Sequence, residues 1–163
     1  MGQPLISLSI NLKNLLIYAR GNVEGSQILF LLIAIGKILD SYIHDKKFDF
    51  SSLQVEIDER IPEKASMTNL LTIGEVRLTD DQKELLLFMG TIIERAKSEL
   101  QREQFKTAYV LIDTIHFLPE ALVSENWNSK AYWRTFIENQ ELFDKEFKEI
   151  WRKKFKLLRT GGK

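Results

Sequence analysis

The sequence predicts an all-α fold: a single-domain antiparallel bundle of five or six helices with a long C-terminal helix. Three observations point there. Apolar residues recur at threes and fours through most of the chain, the spacing of one helix face. Two of these runs open on Ser or Thr followed three residues later by Gln, the pattern of a capping box. A short polar cluster at residues 101–104 separates two runs and reverses the chain, which gives an antiparallel pair.

A chain of 163 residues is long enough for one domain with a substantial core. At this size about 70% of the surface of the unfolded chain is buried on folding. The hydrophobic share of 44% and charged share of 28% are those of an ordinary globular protein rather than a disordered one.

Taken in order, residues 5–18 read as a short helix. Leu8, Leu12, Leu15 and Leu16 fit a helical face better than the partial alternation of Leu5, Ile6, Leu8, Ile10 and Leu12 fits a strand. Gly21 is placed to cap its C-terminus. Ser26 is expected to cap a second helix running to about His44, apolar almost all round and therefore central. Residues 46–78 admit two readings. Ser51 and Gln54 fit a capping box, with Leu53, Ile57 and Ile61 on one face and Pro62 ending the helix. The rival reading takes Phe48, Phe50, Leu53, Val55 and Ile57 as a strand paired with residues 70–78. The helix is preferred.

Thr79 and Gln82 form a second capping box before a helix over residues 80–100, whose face is Leu85, Phe88, Ile92, Ile93, Ala96 and Leu100. A further helix starts near Glu103 and ends near Pro119. Asn128 is expected to cap the last helix, with Trp127 and Tyr132 as a hydrophobic staple. Along it Trp133, Phe136, Phe143, Phe147, Ile150, Trp151 and Leu157 recur at threes and fours, with Gln140 and Lys154 in the remaining seam positions. A helix of about 28 residues would be about 42 Å long, more than a small bundle needs. Its aromatic seam, with Trp133, Phe136, Phe143, Phe147, Trp151 and Phe155, is the candidate partner-binding surface, for another protein or a second copy in a homodimer. Residues 160–163 read as a frayed tail.

The N-terminus lacks a basic start before an apolar run, so it does not read as a signal peptide. Ile6 stands where a myristoylation motif wants Ser or Thr. The greasiest run, residues 28–35, is followed closely by Gly36, Lys37 and Asp40, and is read as a buried helix rather than a membrane span. Charges balance, 23 basic against 23 acidic, so no global field favours nucleic acid or an anionic membrane. Residues 151–163 carry six positive charges and no acid, yet a solvated helix end accounts for them. The chain has no cysteine, which excludes disulfides, thiolate nucleophiles and Cys-based metal sites and is compatible with a cytoplasmic location.

Residues 108–120 hold the densest chemistry. Asp113 and His116 lie three apart on an otherwise greasy helix, so both can share a face. Asp40 and His44, four apart, do the same on another helix. Two such pairs could converge on a metal, since helical metal sites gather carboxylates and His from facing helices. The further inward carboxylates that such sites need are not identifiable. The plainer reading makes Asp113 and His116 polar pins between helices, because buried polar groups find partners. No Ser sits in a G-x-S-x-G elbow, and no Walker loop or G-x-G-x-x-G turn is present. No catalytic residue and no cofactor is expected.

The stretch from Tyr109 through Asp113, His116 and Pro119 to Glu120, followed by Trp127 and Tyr132-Trp133, resembles short uncharacterised bacterial proteins, some encoded beside polymorphic toxins. The similarity spans residues 104–136 and no catalytic motif defines it. The resemblance implies a small all-α bacterial protein of immunity type that neutralises a toxin by binding it. Together these readings lead to a non-catalytic, cytoplasmic helical protein acting by protein–protein binding. The alternative is a metal-binding helical bundle or metal-dependent enzyme using the Asp/His pairs.

Overall fold

The computed structural model describes residues 3–21, 24–61, 68–73, 75–116 and 118–123. These are all-helical: α1 (Gln3–Gly21), α2 (Gly25–Ile43), α3 (Phe50–Arg60), α4 (Asp80–Gln101) and α5 (Phe105–Ile115), with 3₁₀ turns at Leu70–Thr72 and Leu118–Leu122. The strand reading of residues 46–78 fails: among the described residues there is none. The last helix expected from Asn128 onward, with its aromatic seam, lies outside the described residues.

In α1 the helical spacing wins over the alternation. Leu8, Leu12, Leu15 and Leu16 are fully buried, while Ile6 and Ile10, which a strand would have grouped with Leu8, face outward. Each buried leucine contributes about 1.5–3 kcal/mol relative to exposure. Gly21 is the last residue of the helix, with Arg20 in its final turn, where a cation suits the dipole.

α2 begins at Gly25, one residue before the expected cap. The N-cap is Glu24, which makes no side-chain cap bond, so Ser26 lies inside the first turn. By length and composition this helix could cross a membrane, with a mean hydropathy of 1.6. More than half of that window is nevertheless buried within the chain, including Phe30, Leu31, Leu32, Ile35, Ile38 and Leu39. Lys37 and Asp40 stay outside.

α3 forms as expected, but the cap is Asp49, not Ser51. The Asp49 carboxylate accepts from the Ser52 N–H at 3.1 Å and the Ser52 hydroxyl at 2.7 Å. Those bonds, led by the hydroxyl, hold the carboxyl below its usual pKa. Gln54, read as the return arm of a capping box, instead turns inward. It donates to the Thr68 carbonyl at 3.3 Å and accepts from the Leu70 N–H at 2.8 Å, tying α3 to the following 3₁₀ turn.

α4 opens on the Thr79–Gln82 capping box, with both reciprocal bonds present. Its predicted face is buried throughout, joined by Leu86 and Met89. It ends in a Schellman motif: Gln104 N–H reaches the Glu99 carbonyl at 2.8 Å and Glu103 N–H the Leu100 carbonyl at 3.0 Å. The left-handed position of that motif, normally glycine, holds Glu103 at φ 60°. Residues 102–104 are thus the expected reversal, and α5 packs back on α4.

Contacts fix the directions of the other neighbours. Leu39 lies against Gly90, and Lys83 pairs with Asp45 at 2.8 Å, so α2 and α4 run antiparallel. Along α1, Ser9 donates to the Pro119 carbonyl at 2.7 Å, Lys13 pairs with Glu120, and Arg20 meets Asp113. α1 therefore runs antiparallel to α5 and the turn beyond it. On its other flank the Asn11 side chain accepts from the Asn69 N–H at 2.9 Å and donates to the Asn69 carbonyl at 3.3 Å. The buried residues of all these elements join in one hydrophobic cluster.

Candidate functional site

The first candidate is the pair on α5. Asp113 falls in the last turn of the helix and His116 is the C-cap residue. Helical geometry brings them over one face, with His116 Nδ1 3.7 Å from an Asp113 carboxylate oxygen. The stronger contact of the imidazole is local: Nδ1 donates to the Asp113 carbonyl oxygen at 2.6 Å, satisfying one of the last acceptors of the helix. The Asp113 carboxylate has a different partner. Its Oδ1 lies 2.6 Å from Arg20 Nε across the α1–α5 contact. Neither atom has a hydrogen bond of good direction, so this is an ionic contact rather than a linear bond. Both side chains are partly exposed.

The second pair sits at the C-terminus of α2. His44 Nε2 is 3.3 Å from Asp40 Oδ1, and Lys46 Nζ is 3.5 Å from Asp40 Oδ2, all at the surface. The structure does not bring the two pairs into one cluster. No group of three or more His, Asp or Glu side chains suited to a metal occurs among the described residues. Each Asp/His pair is spent on a local or interhelical tie, and Arg20, which the sequence reading did not single out, is the residue that links Asp113 to another helix.

A groove that the sequence reading missed lies between the end of α2, the α2–α3 connection and residues 70–71 and 75–77, with a volume of about 850 Å³. Its floor is aromatic. Tyr42 stacks on Phe50 with ring centroids 5.9 Å apart, and Phe48 meets Phe50 edge-on at 5.3 Å. Burial pushes the Tyr42 hydroxyl up to about 12. The signal for Phe48 and Phe50 was visible as alternation, but it marks the chain's entry into α3, not a strand. Leu71 and Val76 line one side, and Lys47, Glu75 and Arg77 form a charged rim.

A third surface is apolar. Outside the core of the described residues, Ile6, Ile10 and Ile17 are exposed on α1, and Phe105 and Tyr109, one turn apart on α5, are 53% and 47% exposed. The proposed partner-binding residues Trp133, Phe136, Phe143, Phe147, Trp151 and Phe155 lie outside the described residues.

Compared with known proteins, the chain matches no family model, no curated protein and no solved structure.

Proposed function

We propose that this protein works without chemistry, as a bacterial, cytoplasmic helical module that binds another protein, in the manner of an immunity protein, or a second copy of itself. The observation that carries the reading is the placement of large apolar side chains outside the core that the described residues form. Single exposed leucines or isoleucines are ordinary. Here Ile6, Ile10 and Ile17 repeat along one helix, and Phe105 and Tyr109 stand one turn apart on another. Ordered apolar stripes of this kind characterise interaction surfaces.

In this reading the chain is one antiparallel bundle, and its long C-terminal helix carries a further binding seam from Trp133 to Phe155. The contacts of α1 with α2 and α5, and of α4 with α2 and α5, supply the framework.

Size-exclusion chromatography with light scattering, together with co-purification from a bacterial host, tests the reading. A dimer or a stoichiometric protein partner is expected. Ile10→Asp and Tyr109→Asp should weaken that association while leaving the helical circular dichroism intact. A monomer that captures no partner would overturn the proposal.

A further inference from the structure

The groove beside α3 has a feature that its aromatic floor alone does not explain. Residues 75–78 form neither helix nor turn nor bend, and their side chains alternate between exposed and half-buried, the period-two pattern of extended chain. None of their backbone N–H or C=O groups is hydrogen-bonded among the described residues. Backbone donors and acceptors seek partners, and a straight run of open ones is a template for strand addition.

The rim charges sort into used and unused. Asp45 is held by Lys83, Asp49 caps α3, and Lys46 pairs with Asp40. Among the described residues Lys47, Glu75 and Arg77 take part in no ion pair or hydrogen bond, and Glu75 and Arg77 lie two residues apart on the exposed side of the segment. Val76 between them turns toward the groove, where Leu71 is 62% exposed.

From these features we infer that the groove is a docking site for an extended peptide segment of a partner protein, added as a strand along residues 75–78. Cross-strand charge matching gives the segment its pattern. An acidic residue faces Arg77, a basic residue two positions away faces Glu75, and an apolar residue between them sits against Val76, Leu71 and the Phe48–Phe50 pair. A cleft of this volume is in the range that takes a ligand of a few residues. This inference rests on the reading of the protein as a binder and gives that reading one site.

The test is selection of a displayed library of random short peptides on the full chain, repeated on Arg77→Glu and Leu71→Asp proteins. Both substitutions fall at exposed positions. The expected result on the native chain is enrichment of acid–apolar–base patterns. Arg77→Glu should replace the acid in the selected pattern by Lys or Arg, and Leu71→Asp should weaken binding of the native-selected peptides by about tenfold. Amide hydrogen exchange at residues 76–78 should slow when a selected peptide is bound. No enrichment, peptides indifferent to both substitutions, or unchanged exchange at residues 76–78 would overturn the groove site. A co-purified partner that still binds both variants would overturn it as well, while leaving the protein's role as a binder intact.

Discussion

Arg20 and Asp113 join the last turn of α1 to the last turn of α5, with Nε and Oδ1 2.6 Å apart. The contact explains why an acid stands on a greasy helix. Asp113 pins α5 to α1, and its relation to His116 is secondary, since the imidazole is committed to the Asp113 carbonyl. Because both side chains are partly exposed, solvent screens the pair and its coupling is small, about 0.5–1 kcal/mol. A double-mutant cycle with Arg20→Ala and Asp113→Ala, read by urea unfolding, should return a coupling of that size that shrinks in high salt. A coupling that grows with added divalent metal would instead favour the metal-site reading of Asp113 and His116.

Glu103 occupies the left-handed position of the Schellman motif between α4 and α5. A Cβ costs about 1–2 kcal/mol in that conformation, part of which glycine returns as unfolded-chain entropy. Glu103→Gly is therefore expected to raise stability by about 0.5–1 kcal/mol. Glu103→Ala, which keeps the Cβ, should change it little. Urea midpoints of the two variants against the parent decide it.

The helices were legible because their signals are local. The Thr79–Gln82 box and the face from Leu85 to Leu100 need only a few turns of chain to be read, and α4 follows them closely. Partners across space were not legible. Nothing near Arg20 in the chain marks it as the mate of Asp113, 93 positions on by their numbering. Ser51 and Gln54 matched a capping pattern, yet Asp49 stood two residues earlier with a better-placed carboxylate, and Gln54 was taken by the Thr68 carbonyl and the Leu70 N–H. Phe48 and Phe50 mimicked strand alternation because one precedes α3 and the other is its first residue, and both line the same groove. The groove they floor exists only once α2, α3 and residues 70–71 and 75–77 are assembled.

Gln54 is nearly buried and serves three partners: Asp58, the Thr68 carbonyl and the Leu70 N–H. Removing its amide leaves the buried Leu70 N–H without an acceptor. An orphaned buried donor costs about 1–3 kcal/mol. Gln54→Ala should destabilise the protein by that amount in urea unfolding, and exchange at the Leu70 amide should accelerate more than exchange in α4. Gln54→Glu keeps the acceptor for Leu70 but loses both donations and sets a second carboxylate against Asp58, so it should rescue only part of the loss. Full recovery by Glu would show that the Leu70 bond alone matters.

Tyr42 makes stability depend on pH at the alkaline end. Burial raises its hydroxyl from the ordinary value of 10.0 to about 12 in the fold, and burial raises Tyr18 as well. Both groups bind their protons more tightly when folded than when unfolded. Below pH 10 both states are protonated and the full stability is present. Above it the unfolded chain ionises first, so stability falls with rising pH until the folded groups ionise in turn, at about pH 12 for Tyr42. After allowance for partial screening, Tyr42 should account for about 1–2 kcal/mol of that fall. Urea unfolding of the parent and of Tyr42→Phe at pH 8 and again near pH 11 measures it. The phenylalanine variant should lose less stability across this interval, because of the two tyrosines only Tyr18 then titrates differently between the folded and unfolded states. An equal loss in both proteins would place the Tyr42 hydroxyl in contact with solvent and remove it from the floor of the groove.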